Sequence, residues 1–192
     1  IMYYLYRGSP LIGNLIPGIM LPAYIPNNAA AVFGGGAPLD LGLSWRGNRI
    51  LGDGKTIRGT ISGIACGALA AFILNIINLS VSSLDLPVFS SLVIIALPIG
   101  SLSGDALGSF LKRSLDIPQG TTAPLLDQLD FVIGSLLLVL FISPTWFFET
   151  FTLSIILTIF ILTPFLHLSI NIIGYLFGIK KVRGNAVQQK QK

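Results

Sequence analysis

Apolar residues in this chain fall in long runs with no strand-like alternation, and the segments between the runs are short and hold nearly all the Lys and Arg. Runs of about 20 residues match the helix length needed to cross a hydrocarbon slab. The pattern predicts an all-α polytopic integral membrane protein with about five transmembrane helices. These run roughly from Ser9 to Phe33, Gly59 to Leu79, Pro87 to Leu111, Asp127 to Ile142 and Glu149 to Gly178. Pro17, Pro22 and Pro26 would kink or break the first unless neighbouring protein covers the freed carbonyls. Gly59, Gly63 and Gly67 form a small-residue stripe that lets another helix approach the second closely. The fourth is just short of a comfortable crossing, and the fifth is long enough to tilt or to bend at Pro164.

Composition sharpens this picture. With 53% of 192 residues apolar and 10% charged, the chain is unlike a secreted scaffold or a nucleic-acid module. The lone Cys66 supports neither an internal disulfide framework nor a cysteine zinc site. The net charge of +4 comes from 12 Lys+Arg against 8 Asp+Glu. All the cations except Arg7 fall on one side of the predicted spans. The positive-inside rule therefore places the amino end outside, and the loops at about 34–58 and 112–126 with the polar tail at about 180–192 in the cytoplasm. Trp146, Phe147 and Phe148 then mark the outer interface. The amino end lacks the form of an ordinary signal peptide, and residues 1–192 read as a single transmembrane domain.

The polar residues cluster at the inner ends. Asp105 lies inside the third span, where an unpaired carboxylate costs about 2.5–3.5 kcal/mol, so a partner is expected. On a helix Asp105, Ser109 and Lys112 share a face, which would point them into one cavity with Arg113 at its exit. Asp127 and Asp130 share a face at the start of the fourth span. With Asp105 they make an oxygen-ligand site suited to Mg²⁺, with room for a second cation, beside cations that a polyphosphate would need. The structural alternatives are an internal Asp/Lys pairing, and an N-cap role for Asp127 with Asp130 at the third helical position. In the first loop, Gly34-Gly35-Gly36 and Gly52-Asp53-Gly54-Lys55-Thr56-Ile57-Arg58-Gly59 give glycines, cations and a helix start, the makings of a phosphate or headgroup binder. The bland alternative is a glycine hinge with positive-inside cations. Gly54-Lys55-Thr56 is no Walker A loop, because Arg49 stands five residues before Gly54 where that motif opens with Gly. Asn27, Asn28 and Asp40 are candidate substrate contacts, Asn27 and Asn28 being equally suited to capping broken backbone. Asn75 and Asn78 face neighbouring helices or the outer interface. His167 is structural, and Asp85 and Glu149 are solvated.

Gly104-Asp105 with Ser109-x-x-Lys112-Arg113, followed by Asp127-Gln128-Leu129-Asp130, resembles the signature of the integral-membrane CTP:phosphatidate cytidylyltransferases, the CDP-diacylglycerol synthases. Their pattern is Ser-x-x-Lys-Arg and later Asp-Arg-x-Asp, so Gln128 stands where that pattern has Arg. The small size, the Gly52 to Gly59 loop and the Pro22-x-Tyr24-x-x-Asn27 and Pro38-x-Asp40 patterns are similar to the archaeal branch, the CDP-archaeol synthases. The resemblance runs from about Pro22 to Asp130. It implies a five-span membrane enzyme that transfers CMP from CTP to a lipid phosphate, with digeranylgeranylglyceryl phosphate as acceptor in the archaeal branch, and releases pyrophosphate. Asp105, Asp127 and Asp130 would hold Mg²⁺, Lys112 and Arg113 would stabilise the leaving pyrophosphate, and Gly52, Asp53, Gly54, Lys55, Thr56, Arg58 and Ser109 would bind nucleotide or lipid phosphate. The implied partners are CTP, the lipid phosphate and membrane lipid, with no nucleic acid. A diacyl acceptor is the near alternative, and a small transporter or channel with an inner-side ion site is the alternative class.

Overall fold

The computed structural model describes residues 11–45, 48–52, 54–81, 86–117 and 125–176. Arg7, Arg46, Asp53, Asp85, the 118–124 stretch of the second loop and the tail from 177 lie outside them, as does the His167 side chain. Six helices follow one another: α1 (Leu11–Phe33), α2 (Ile57–Ser80), α3 (Ser91–Ser114), α4 (Leu126–Ile142), α5 (Pro144–Thr150) and α6 (Leu153–Leu176). Between α1 and α2 lies a two-residue hairpin, β1 (Ser44–Trp45) with β2 (Asn48–Arg49), which the all-α expectation did not include. Among the described residues α2 and α3 are long and apolar enough to cross a membrane, and the bent pair α5–α6 is a third such unit. Exposed Phe72, Leu92, Phe141, Ile161 and Phe165 fit a lipid-facing surface.

Helix α1 is continuous through its three prolines. Pro26 has no N–H for the Pro22 carbonyl, one turn earlier. That carbonyl is where α2 comes closest: a Cβ on Gly67 would stand 2.7 Å from the Pro22 oxygen and 2.7 Å from Pro98 Cβ. Gly63 meets the Pro26 carbonyl and Gly59 that of Ala30 in the same way, so the expected stripe is a seam between antiparallel helices. A second seam, which the sequence reading missed, joins α3 to α4. Cβ atoms on Gly100 and Gly134 would fall 2.6 and 2.3 Å from each other's carbonyl oxygens, and one on Gly104 would fall 2.2 Å from the Asp130 carbonyl.

Buried hydroxyls complete the bundle by donating to carbonyls. Ser101 Oγ reaches Ala23 O at 2.7 Å, and Ser135 Oγ lies 3.0 Å from Leu97 O and 2.8 Å from Phe131 O. Thr163 donates to Ile159 O at 2.6 Å, and Tyr24 to Thr163 at 2.8 Å, which ties α6 to α1. Each hydroxyl has a partner where no water is at hand. Met20, Val93, Leu97, Val132, Val139 and Ile159 fill the space between these helices and are fully buried.

Two boundaries differ from expectation. Residues 86–90 precede α3 outside any helix, and α2 clamps them: Asn75 exchanges hydrogen bonds of 2.8 and 2.9 Å with the Phe89 backbone, and Asn78 does the same with Leu86 at 2.8 and 3.1 Å. The fifth predicted span, Glu149 to Gly178, is corrected. Glu149 belongs to α5, and the chain turns by 80° before α6. The bend sits at Phe151 and Thr152, while α6 runs on through Pro164. Phe147 and Phe151 are buried against each other and against neighbouring aromatic rings, which explains the location of the corner.

The seams set the first expectation. Gly67→Val should destabilise the fold by about 2–3 kcal/mol through overpacking, whereas Gly54→Ala, whose added Cβ meets nothing within 4 Å, should leave the melting temperature in detergent unchanged. Equal melting of the two variants would contradict the seam.

Candidate functional site

The first loop is a folded platform. Leu39 N donates to Lys55 O at 2.9 Å and Ile57 N to Ala37 O at 3.0 Å, so residues 37–39 run antiparallel to 55–57. Thr56 is the N-cap of α2, and its hydroxyl accepts from Gly59 N and Gly35 N, each at 3.1 Å. Gly35 makes the second contact with φ at +107°, a backbone state that favours glycine. Arg58 reaches back to the end of α1, donating to Phe33 O at 2.8 Å and to Gly34 O. Thr56 and Arg58, both expected at phosphate, thus join helix ends here. Gly52, at φ +76° and buried, turns the chain towards Lys55.

Asp40 organises the other half of this loop. Its carboxylate is buried and accepts from Arg49 Nη2 at 2.7 Å, Gly42 N at 3.1 Å and Leu51 N at 3.1 Å. Burial alone would raise its pKa, but the Arg49 guanidinium and the two amides more than offset that and hold the carboxyl below its ordinary value. Asp40 is placed as a loop anchor.

The C-terminal end of α3 and the N-terminal end of α4 carry a further group of charges. Lys112 and Arg113 occupy the last turn of α3, where cations favour the helix dipole, and Asp127 occupies the first turn of α4, where an anion does. The N-cap is Leu125, at φ +70° and without a side-chain bond. Asp127 therefore lies one residue inside the helix, which corrects the N-cap alternative. Asp105 pairs with Lys55 of the first loop and Lys112 with Asp127, both pairs partly exposed. Arg113 donates to Ile117 O. The buried Asp130 packs on Gly108, where a Cβ would fall 2.2 Å from its Oδ2, and Oδ1 lies 2.6 Å from the Phe131 amide. Asp105, Asp127 and Lys55 all act electrostatically on Asp130.

A small cavity of about 90 Å³ opens between the C-terminal part of α1, the start of α2 and the C-terminal half of α3. Asn27, Lys55, Thr56, Thr60, Leu102 and Asp105 are among its lining residues. Asp105, Ser109 and Lys112, expected to face one cavity, do not all line this one. This lining includes Asp105 but neither of the others, because Lys112 turns to Asp127 across the α3–α4 seam. Ser109 is buried, and Asn28 Nδ2 donates to its own helix at Tyr24 O, 3.1 Å away. Thr60 and Leu102 escaped the sequence reading; each is one turn from a noted residue, Thr56 or Asp105, a spacing that could have flagged them. Among the described residues no three His, Cys, Asp or Glu side chains converge closely enough to hold a metal ion as they stand.

The chain is similar to known proteins over most of its length. Positions 14–183 match a family described as CarS-like: CDP-archaeol synthase. A CDP-archaeol synthase of Methanosarcina barkeri is 48% identical over 172 residues, covering 84% of this chain and 98% of that protein. Another, from Methanospirillum hungatei, is 48% identical over 164 residues, covering 85% and 99%. A solved structure described as an intramembrane enzyme for archaeal membrane lipids biosynthesis matches with a TM-score of 0.67 at 37% identity, over 81% of this chain and 92% of that one.

Because the Asp40 carboxyl is held below its ordinary pKa, its contribution to loop stability is fully present above the usual carboxylate range, about pH 4, and is lost as pH falls through its lowered value. Asp40→Asn should cost about 2–3 kcal/mol at neutral pH. The gap in melting temperature between the two proteins should close as the solution is acidified below that range. A gap independent of pH would show that the carboxylate charge is not what anchors the loop.

Proposed function

We infer the working of this site from one premise: the chain belongs to the CDP-archaeol synthase family. It is a membrane enzyme that forms CDP-archaeol from CTP and a lipid phosphate, which releases pyrophosphate. The enzyme class displaces the transporter alternative, and the archaeal acceptor displaces the diacyl one. In our reading the acceptor is digeranylgeranylglyceryl phosphate. Helices α1 to α4 and the bent pair α5–α6 are the five crossings, residues 1–192 form one transmembrane domain, and the charged ends face the cytoplasm.

The observation that carries the site assignment is the pairing of Lys55 with Asp105 and of Lys112 with Asp127. Lys55, Lys112 and Arg113 only balance Asp105, Asp127 and Asp130, so the cluster has no net positive charge to offer a polyphosphate. Hard carboxylate oxygens suit a divalent cation, and Asp105, Asp127 and Asp130, which do not converge as they stand, are the residues that would hold Mg²⁺ once the lysines release them. Bound there, Mg²⁺ would supply charge neutralisation of the triphosphate.

The chain's own groups do the rest. The triphosphate competes for Lys55 and Lys112, which frees the two carboxylates as it lands. An oxygen of the lipid phosphate attacks the α-phosphorus, the bond to the β-phosphate breaks, and pyrophosphate leaves with its charge stabilised by Lys112 and Arg113. Arg113 can turn to that task because its Nε is buried without a partner in the resting site. The nucleophile is already ionised, so no general base is needed and catalysis rests on alignment and charge. The Gly52, Asp53, Gly54 and Lys55 segment would follow the phosphates, Thr56 and Arg58 hold the platform beneath it, and Ser109, buried on α3, would act on phosphate only where the bound nucleotide reaches its turn of the helix.

Radiolabelled CTP, Mg²⁺ and either digeranylgeranylglyceryl phosphate or diacyl phosphatidic acid, incubated with purified protein in detergent, should give a lipid-soluble labelled product with preference for the ether lipid. Asp127→Asn should lower turnover by about 10²-fold or more and Lys112→Gln should reduce it less, in line with the loss of electrostatic stabilisation. No product with either lipid from folded protein would overturn this reading.

A further inference from the structure

Asn27 presents an unmet acceptor at the cavity. It lies near the inner end of α1 and is among the residues that line the space beside Lys55, Thr60 and Asp105. Its Oδ1 is buried and has no hydrogen-bond partner. The neighbouring Asn28 instead bonds its own helix, as a polar residue capping backbone would. A buried carbonyl left unpaired costs free energy in the resting protein, and a ligand that supplies an N–H or O–H recovers it. The terminal amide turns broadly about its last torsion, so it can bring that acceptor to the cavity side.

The chemistry of the two substrates decides which one supplies the donor. A diether glycerol phosphate carries ether oxygens, hydrocarbon and an ionised phosphate, all of them acceptors or apolar. The donors reside on the nucleoside: the exocyclic amine of cytosine and the ribose hydroxyls. Lys55 stands at the same cavity as a phosphate-attracting charge, so a nucleotide seated with its phosphates at the lysine would bring its nucleoside past Asn27. Resting on the cytidylyltransferase reading, we propose that Asn27 is a nucleoside-reading residue, accepting a hydrogen bond from the base amine or a ribose hydroxyl of CTP.

Steady-state kinetics of full-length Asn27→Leu with CTP, dCTP, 3′-deoxy-CTP and UTP test this, with Asn27→Ala as the milder change if the leucine variant does not fold. The KM for CTP should rise about tenfold, the worth of one such hydrogen bond, with the KM for lipid phosphate unchanged. If a ribose hydroxyl is the donor, the preference of the native protein for CTP over the matching deoxynucleotide collapses in the variant. If the base amine is the donor, CTP and dCTP weaken together and the preference over UTP collapses. A variant that melts lower but keeps every nucleotide KM and preference would make Asn27 an internal packing group and overturn the proposal. Native protein that fails to convert CTP at all would instead overturn the reading of the enzyme itself, so the two failures are distinguishable.

Discussion

Direct contact between helix backbones decides where the described charged side chains at the ends of α3 and α4 can stand. Gly59, Gly63 and Gly67 let α2 rest on the carbonyls of α1, and Gly100, Gly104 and Gly134 let α3 and α4 do the same with each other. In lipid there is no hydrophobic gain from merely bringing apolar helices together, so close packing and satisfied polar groups supply the cohesion. The two seams run along α1–α2 and α3–α4, and Ser101 joins the pairs by donating to Ala23 O. Three of the acids and cations sit at the inner end of the second seam, with Asp130 in the gap left by Gly108. The platform that carries Lys55 caps the inner end of the first.

That arrangement explains how a membrane helix tolerates Asp105. The carboxylate finds its cation in a loop fifty residues earlier, held by backbone pairing of residues 37–39 with 55–57 and by the Thr56 cap. Internal hydrogen bonds tie the described part of that loop together: Asp40 accepts from Arg49 and two amides, and Arg58 donates to the end of α1. Rigid placement of charge is what a reaction without a general base requires, since its barrier falls through alignment and neutralisation.

Much of the bundle was legible in the sequence because its causes are local. Apolar run length located the helices, the Gly59 stripe announced close contact, and the cost of Asp105 in a span required a partner. The identity of that partner was not legible, because loop residue Lys55 and in-helix Lys112 are equally good cations and only the fold chooses between them. The helix-end bonds of Thr56 and Arg58 were not legible for the same reason: a hydroxyl and a guanidinium suit a helix end as well as an anion. The second seam was hidden by Pro98 and the polar residues around Gly100, Gly104 and Gly108, which drew attention to chemistry before packing. The corner before α6 depends on aromatic packing of Phe147 and Phe151, and no proline or glycine marks it.

The central claim is that the chain's lysines hold its carboxylates until a triphosphate takes the lysines away, so that metal and nucleotide bind as coupled ligands. Titration of nucleotide-free protein with Mn²⁺, followed by electron paramagnetic resonance of the free ion, tests it most directly. Weak binding, with Kd in the millimolar range, is the result this account predicts. Tight stoichiometric binding in the micromolar range, abolished by Asp127→Asn, would contradict it, because the carboxylates would then form a ready metal site without nucleotide.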